Sequence, residues 1–70
     1  MNEEEIKLEL FKRRKRVSMA SIARKHGKSR SAVLYIIRRQ FVNEAIMNSI
    51  AEAIERDPKY VFPEHFLKAS

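Results

Sequence analysis

Seventy residues hold one small core and, with no cysteine, neither a disulfide nor a thiolate metal site. The formal charge is +6, from 15 Lys and Arg against nine Asp and Glu. The apolar run Val33–Ile37 falls far short of the about 20 residues a membrane span requires. One glycine and two prolines favour helices over short strands joined by tight turns. The first residues are acidic and lack the basic-then-apolar order of a secretory signal, so a cytoplasmic location is expected.

A first helix is expected from Asn2 or Glu3 to about Arg16, with Glu3, Glu4 and Glu5 at its positive end and Lys12 to Arg16 at its negative end. Ile6 and Leu10, joined by Leu8 or Phe11, form its apolar side. Ser18 is a good cap for a short second helix that buries Met19, Ile22 and Ala23 and stops at Gly27. The third helix follows Lys28, capped by Ser29 or Ser31 and running to about Arg39, with Val33, Ile36, Ile37 and Phe41 turned inward. Leu34 exceeds what one narrow stripe needs, so it either closes the domain or touches a partner. Asn43 caps a fourth helix to about Arg56, built on Ile46, Met47, Ile50, Ala51 and Ile54. Pro58 blocks its continuation. The remainder reads as an extended or turn segment, with Tyr60, Val61, Phe62 and Phe66 available to fold over the core and Pro63 able to open one last turn. The whole reads as a single all-α domain over residues 1–70, its last two or three residues expected to be disordered.

The charge is not spread evenly. Between Lys12 and Asn43 there is no acidic residue, and 11 of the 15 basic residues lie there. Solvated faces normally mix signs, so this segregation implies an anionic partner: DNA, RNA or an acidic membrane.

The segment from Ser18 to about Arg39 carries the pattern of a helix-turn-helix. Ala23 lets the next helix approach, Gly27 makes the bend four residues later, and Ile22, Val33 and Ile36 fill the wedge. The second helix of such a pair lies in a major groove while the first crosses the backbone. Ser29, Arg30, Ser31, Tyr35 and Arg38 are the candidates to read bases, and Arg30 can offer a bidentate fork to guanine. Arg13, Arg14, Lys15, Arg16, Ser18, Arg24, Lys25, Lys28 and Arg39 are the candidates for phosphate. His26 and Lys28 flank the glycine, where an apolar side chain often packs the turn; their stems can do so with their polar ends in solvent.

Other classes fare worse. The sequence has no spaced aromatic platform for single strands. Its basic residues do not flank a large apolar face suited to a membrane surface. No nucleophile, base and acid fall into a catalytic arrangement. His26 and His65 are the only histidines, so neither a metal nor any other cofactor is expected, and no small-molecule substrate. An excisionase-like or architectural DNA-binding protein, or a module holding an acidic protein on its basic helix, would share the charge pattern.

Three stretches together resemble the Ner-like DNA-binding proteins, small negative regulators of transposable phages and their bacterial relatives. They are Ser18-Met19-Ala20-Ser21-Ile22-Ala23-Arg24 with Gly27; Ser29 to Ser31 with Val33; and Ile50 to Ile54 followed by Asp57 to Phe66. The family typically ends in Trp-Pro-Ser-Arg-Tyr, where this chain has Phe62-Pro63-Glu64-His65-Phe66. The resemblance implies a compact four- to five-helix fold similar to phage repressors. It also implies sequence-specific duplex binding, repression of phage or prophage transcription, and no cofactor. Two copies on adjacent half-sites would sit about one helical turn apart.

Overall fold

The computed structural model describes residues 1–67, so the expected disorder at the end of the chain concerns residues outside that range. The described residues form six helices and no strand: α1 (Glu3–Lys12), α2 (Met19–Lys25), α3 (Arg30–Ile37), α4 (Glu44–Ala53), α5 (Pro58–Val61) and α6 (Pro63–Phe66). None is long and apolar enough to cross a membrane.

Side-chain caps set the helix starts. The Asn2 side chain accepts from the Glu5 N–H at 2.8 Å while Glu5 accepts from the Asn2 N–H at 2.8 Å, closing a capping box. Ser18 and Ser21 make the same reciprocal pair at α2, at 3.1 and 2.8 Å. Asn43 caps α4 through Ile46. Of the two serines that could cap α3, Ser29 does so, accepting from Ala32 at 3.3 Å.

Three helix ends share one hydrogen-bond pattern. Beyond α2, Gly27 (φ +66°) donates to Arg24 and Lys28 donates to Ala23. Beyond α3, Arg39 (φ +62°) donates to Ile36 and Gln40 to Tyr35. Beyond α4, Glu55 (φ +57°) donates to Glu52 and Arg56 to Ala51. Each is a Schellman end, in which a left-handed residue returns the chain to the last free carbonyls. Only one of the three uses glycine.

Element bounds depart from expectation in two places. α1 stops at Lys12, short of Arg16. Like charges four residues apart disfavour further helix there, and the turn that replaces it bonds Val17 N–H to Arg13 O and brings Val17 against the core. α4 stops at Ala53, short of Arg56, because its Schellman end reverses the chain. That reversal folds the tail, expected as an extended or turn segment, into two short helices, the second of which is the last turn expected at Pro63. Pro58 opens α5, with Asp57 capping through Lys59 at 2.8 Å, and Pro63 opens α6.

The core unites Ile6 and Leu10 of α1, Ile22 and Ala23 of α2, and Val33, Ile36 and Ile37 of α3. Ile46, Met47, Ile50, Ala51 and Ile54 come from α4 and its cap, and Val61 and Phe62 from the tail. Phe62 is the largest side chain fully buried, and Phe66 packs half-buried against the same cluster. Phe41 does not turn inward as its spacing suggested. It lies beyond the end of α3, so the helical period no longer places it, and it stands exposed and edge-on to Tyr35 at 5.7 Å. Tyr60, Leu8 and Phe11 are exposed as well.

Candidate nucleic-acid interface

The α2–α3 corner has the geometry its spacing predicted. Ala23, Ile22, Val33 and Ile36 are buried where the two helices meet. A Cβ built on Gly27 would meet nothing within 4 Å, so the glycine is required by its positive φ and not by crowding. His26 is half-buried at the end of α2, and its Nε2 lies 2.7 Å from Ser49 Oγ. The turn is thus covered by a polar bond to α4 where an apolar side chain was the common expectation.

The buried side of α3 fixes what its other side offers. Val33, Ile36 and Ile37 face the core. Ser31, Tyr35 and Arg38 follow one another at four- and three-residue steps and form a single exposed row on the outward side. Leu34, half-buried, and exposed Arg30 flank that row. Ser29 is exposed, but its hydroxyl oxygen serves as the helix cap. Arg30 lines a shallow apolar groove with Lys7, Leu8, Phe11 and Met19.

The basic residues separate into two groups. Lys15, Arg16, Arg24, Lys25, Lys28 and Arg30 are exposed and have no carboxylate partner among the described residues. Arg14 is exposed too, with its guanidinium 4.3 Å from the centre of the Phe11 ring. Ser18 is half-buried and engaged in its capping box.

Arg13 and Arg39 have carboxylate partners within the fold. Arg13 Nη1 donates to Glu9 Oε1 at 2.6 Å, and Nη2 lies 3.6 Å from Glu55. The hydrogen bond from Arg13 holds the Glu9 carboxyl below its ordinary value, and Glu9 in turn raises Arg13. Arg39 donates through Nε to Glu64 at 2.8 Å, through Nη1 to Ile37 O at 3.0 Å and through Nη2 to Val61 O at 2.8 Å. Nη2 also donates to Met1 O. Its guanidinium lies over Phe62, 5.0 Å from the ring centre. Burial pushes the Glu64 carboxyl up, but its own backbone N–H and Arg39 outweigh this and leave it lowered. Both arginines were expected at phosphate; in this structure each of the three nitrogens of the Arg39 guanidinium bonds inside the domain, while Arg13 engages Glu9 through Nη1 and keeps its Nε without a hydrogen-bond partner among the described residues.

Arg38 stands on the outward row but has an intramolecular neighbour. Its Nε donates to Glu3 Oε2 at 3.0 Å, and Lys7 Nζ meets the same oxygen at 3.1 Å. Hydrogen bonds from Arg38, then Lys7, hold the Glu3 carboxyl below its ordinary value. Sequence reading missed Glu3, Lys7, Glu64 and Ser49 as parts of this surface or its support. Nothing local marks them, since Glu3 and Arg38 are 35 residues apart and His26 and Ser49 are 23 apart.

A family model described as winged helix-turn-helix DNA-binding matches residues 1–70. The described residues contain no β-strand, so no wing is present among them. No curated protein and no solved structure matches the chain.

Proposed function

The chain belongs to the winged helix-turn-helix DNA-binding family, and on that premise we propose that it is a sequence-specific regulator of duplex DNA, a repressor of phage or prophage transcription acting in the bacterial cytoplasm. The observation that carries this reading is the exposed row Ser31, Tyr35 and Arg38 on the side of α3 opposite Val33, Ile36 and Ile37. A helix so mounted presents donors to base edges when it enters a major groove. Arg30 flanks the row and can reach a neighbouring base or phosphate. Lys15, Arg16, Arg24, Lys25 and Lys28 are exposed cations that fix register on the backbone without reading sequence. The repressor role, and membership of the Ner-like group, rest on the resemblance in the Ser18–Val33 and Ile50–Phe66 stretches.

Selection of bound duplexes from a random library at near-physiological salt, followed by footprinting, tests the reading. Enrichment of a reproducible site is expected, and a repeated half-site about one helical turn away would report two copies on DNA. Retention of DNA only at low salt, with no sequence enriched, would overturn it. Fusing the selected site to a promoter reporter then distinguishes repression from activation.

A further inference from the structure

We infer that Glu3 is a specificity-determining residue: it grips Arg38 by Nε and so aims the remaining two-nitrogen fork of that guanidinium at a guanine. This rests on the reading that α3 enters the major groove.

The argument starts from the guanidinium. It carries five N–H donors in one plane, and only its paired edges match the O6 and N7 acceptors of guanine. A free arginine samples many rotamers and presents any edge. In this protein the Nε–H is taken by Glu3 Oε2 at 3.0 Å, while Nη1 and Nη2 have no partner among the described residues. The edge left open is therefore the end-on Nη1/Nη2 pair, which is able to make a bidentate base contact. About two-fifths of the Arg38 side chain and one-third of the Glu3 side chain are exposed, so the pair sits at the surface.

Both halves of the pair stand on fixed backbone. Glu3 is the first residue of α1, inside the Asn2–Glu5 capping box, and Lys7 holds the same carboxylate oxygen one turn later. Arg38 is the cap residue of α3, directly before the left-handed Arg39. The Arg39 side chain bonds to the carbonyls of Ile37, Val61 and Met1. A surface ion pair contributes little to stability by itself. Its consequence here is orientation, because it selects one presentation of a base-reading group from many.

A bystander carboxylate predicts the opposite behaviour. A negative charge beside DNA repels every phosphate equally, so deleting it strengthens binding to all sequences and leaves discrimination alone. The test compares Glu3→Ala, Glu3→Gln and Arg38→Ala with the parent protein. Each is bound to the selected duplex, to the same duplex with each guanine replaced in turn, and to random DNA. Thermal unfolding confirms that each variant is folded.

Arg38→Ala is expected to lose about tenfold or more of the discrimination at one guanine. Glu3→Ala is expected to lose several-fold at that same guanine while binding random DNA at least as well as the parent. Glu3→Gln keeps an acceptor for Nε without the charge and is expected to retain most of the discrimination. If Glu3→Ala and Glu3→Gln tighten binding to every duplex equally with discrimination unchanged, the inference is overturned although Arg38 still reads the base. If Arg38→Ala leaves every guanine preference intact, the base-reading role of Arg38 falls and the inference with it. Loss of sequence preference already in the parent protein would instead strike the reading of α3.

Discussion

At the scale of single residues, three left-handed positions do similar backbone work with different side chains. Gly27 occupies that region without the Cβ penalty, and a Cβ added there would meet nothing within 4 Å. Gly27→Ala should therefore cost about 1 kcal/mol or somewhat more through backbone strain alone. Glu55 bears the same strain, and its contact with Arg13 is long at 3.6 Å and well exposed. Glu55→Gly should stabilise the protein by up to about 1 kcal/mol, read as a rise in the urea midpoint. An unchanged or lower midpoint would show that the Arg13 contact matters more than the strain. Arg39 differs from both, because its side chain recovers the strain by tying three carbonyls and Glu64 together. Arg39→Ala should cost about 2 kcal/mol, and Arg39→Lys should rescue little because an ammonium has no fork to span those acceptors. The positive φ at Gly27 was legible from composition. Those at Arg39 and Glu55 were not, since arginine and glutamate carry no preference for that region.

At the scale of elements, the starts of α1 to α4 and the end of α2 at Gly27 were legible, and the ends of α1 and α4 were not. Asn2, Ser18, Ser29 and Asn43 are all capping residue types, and each caps the helix that follows it. Such bonds are local, made within three residues of the cap. The Ser18 box, with two short bonds, should matter more than the single longer bond of Ser29. Ser18→Ala should cost roughly 1 kcal/mol and Ser29→Ala less, measured by chemical unfolding. Equal losses would mean that the reciprocal Ser21 bond adds nothing. The ends of α1 and α4 fell three or four residues earlier than periodicity suggested, where the chain turns back to place Val17 and Phe62 on the core. Those reversals answer to packing, which local pattern does not encode. α3 illustrates both cases: its buried stripe was readable from Val33, Ile36 and Ile37, while the exposure of Phe41 followed from where the helix stopped.

At the scale of the whole molecule, acidic flanks close around a basic centre. Glu3, Glu9 and Glu64 reach Arg38, Arg13 and Arg39, and all three carboxyls lie below the ordinary glutamate value in the folded protein. The unfolded chain therefore takes up protons first as the pH falls. The stability these groups contribute is present above about pH 4.5 and is lost as the pH drops through their folded-state values. The urea midpoint should fall between about pH 6 and pH 3, and a variant with all three changed to Gln should show a shallower fall. An identical slope in that variant would mean that other groups govern acid stability. The same pairs divide the basic residues, since Arg13 and Arg39 have carboxylate partners while Lys15, Arg16, Arg24, Lys25, Lys28 and Arg30 are exposed without one among the described residues. The sequence by itself determined the helical class, the α2–α3 corner and the acid-free stretch, because capping, periodicity and composition act over a few residues. The tertiary structure alone decided that Glu3 meets Arg38 and that Glu64 and the Val61 carbonyl hold Arg39. For Arg38 and Arg39 those choices are made by contacts between residues more than 20 positions apart, which only the packing of α1 and the tail around α3 brings together, whereas Arg13 is held by Glu9 one helical turn away.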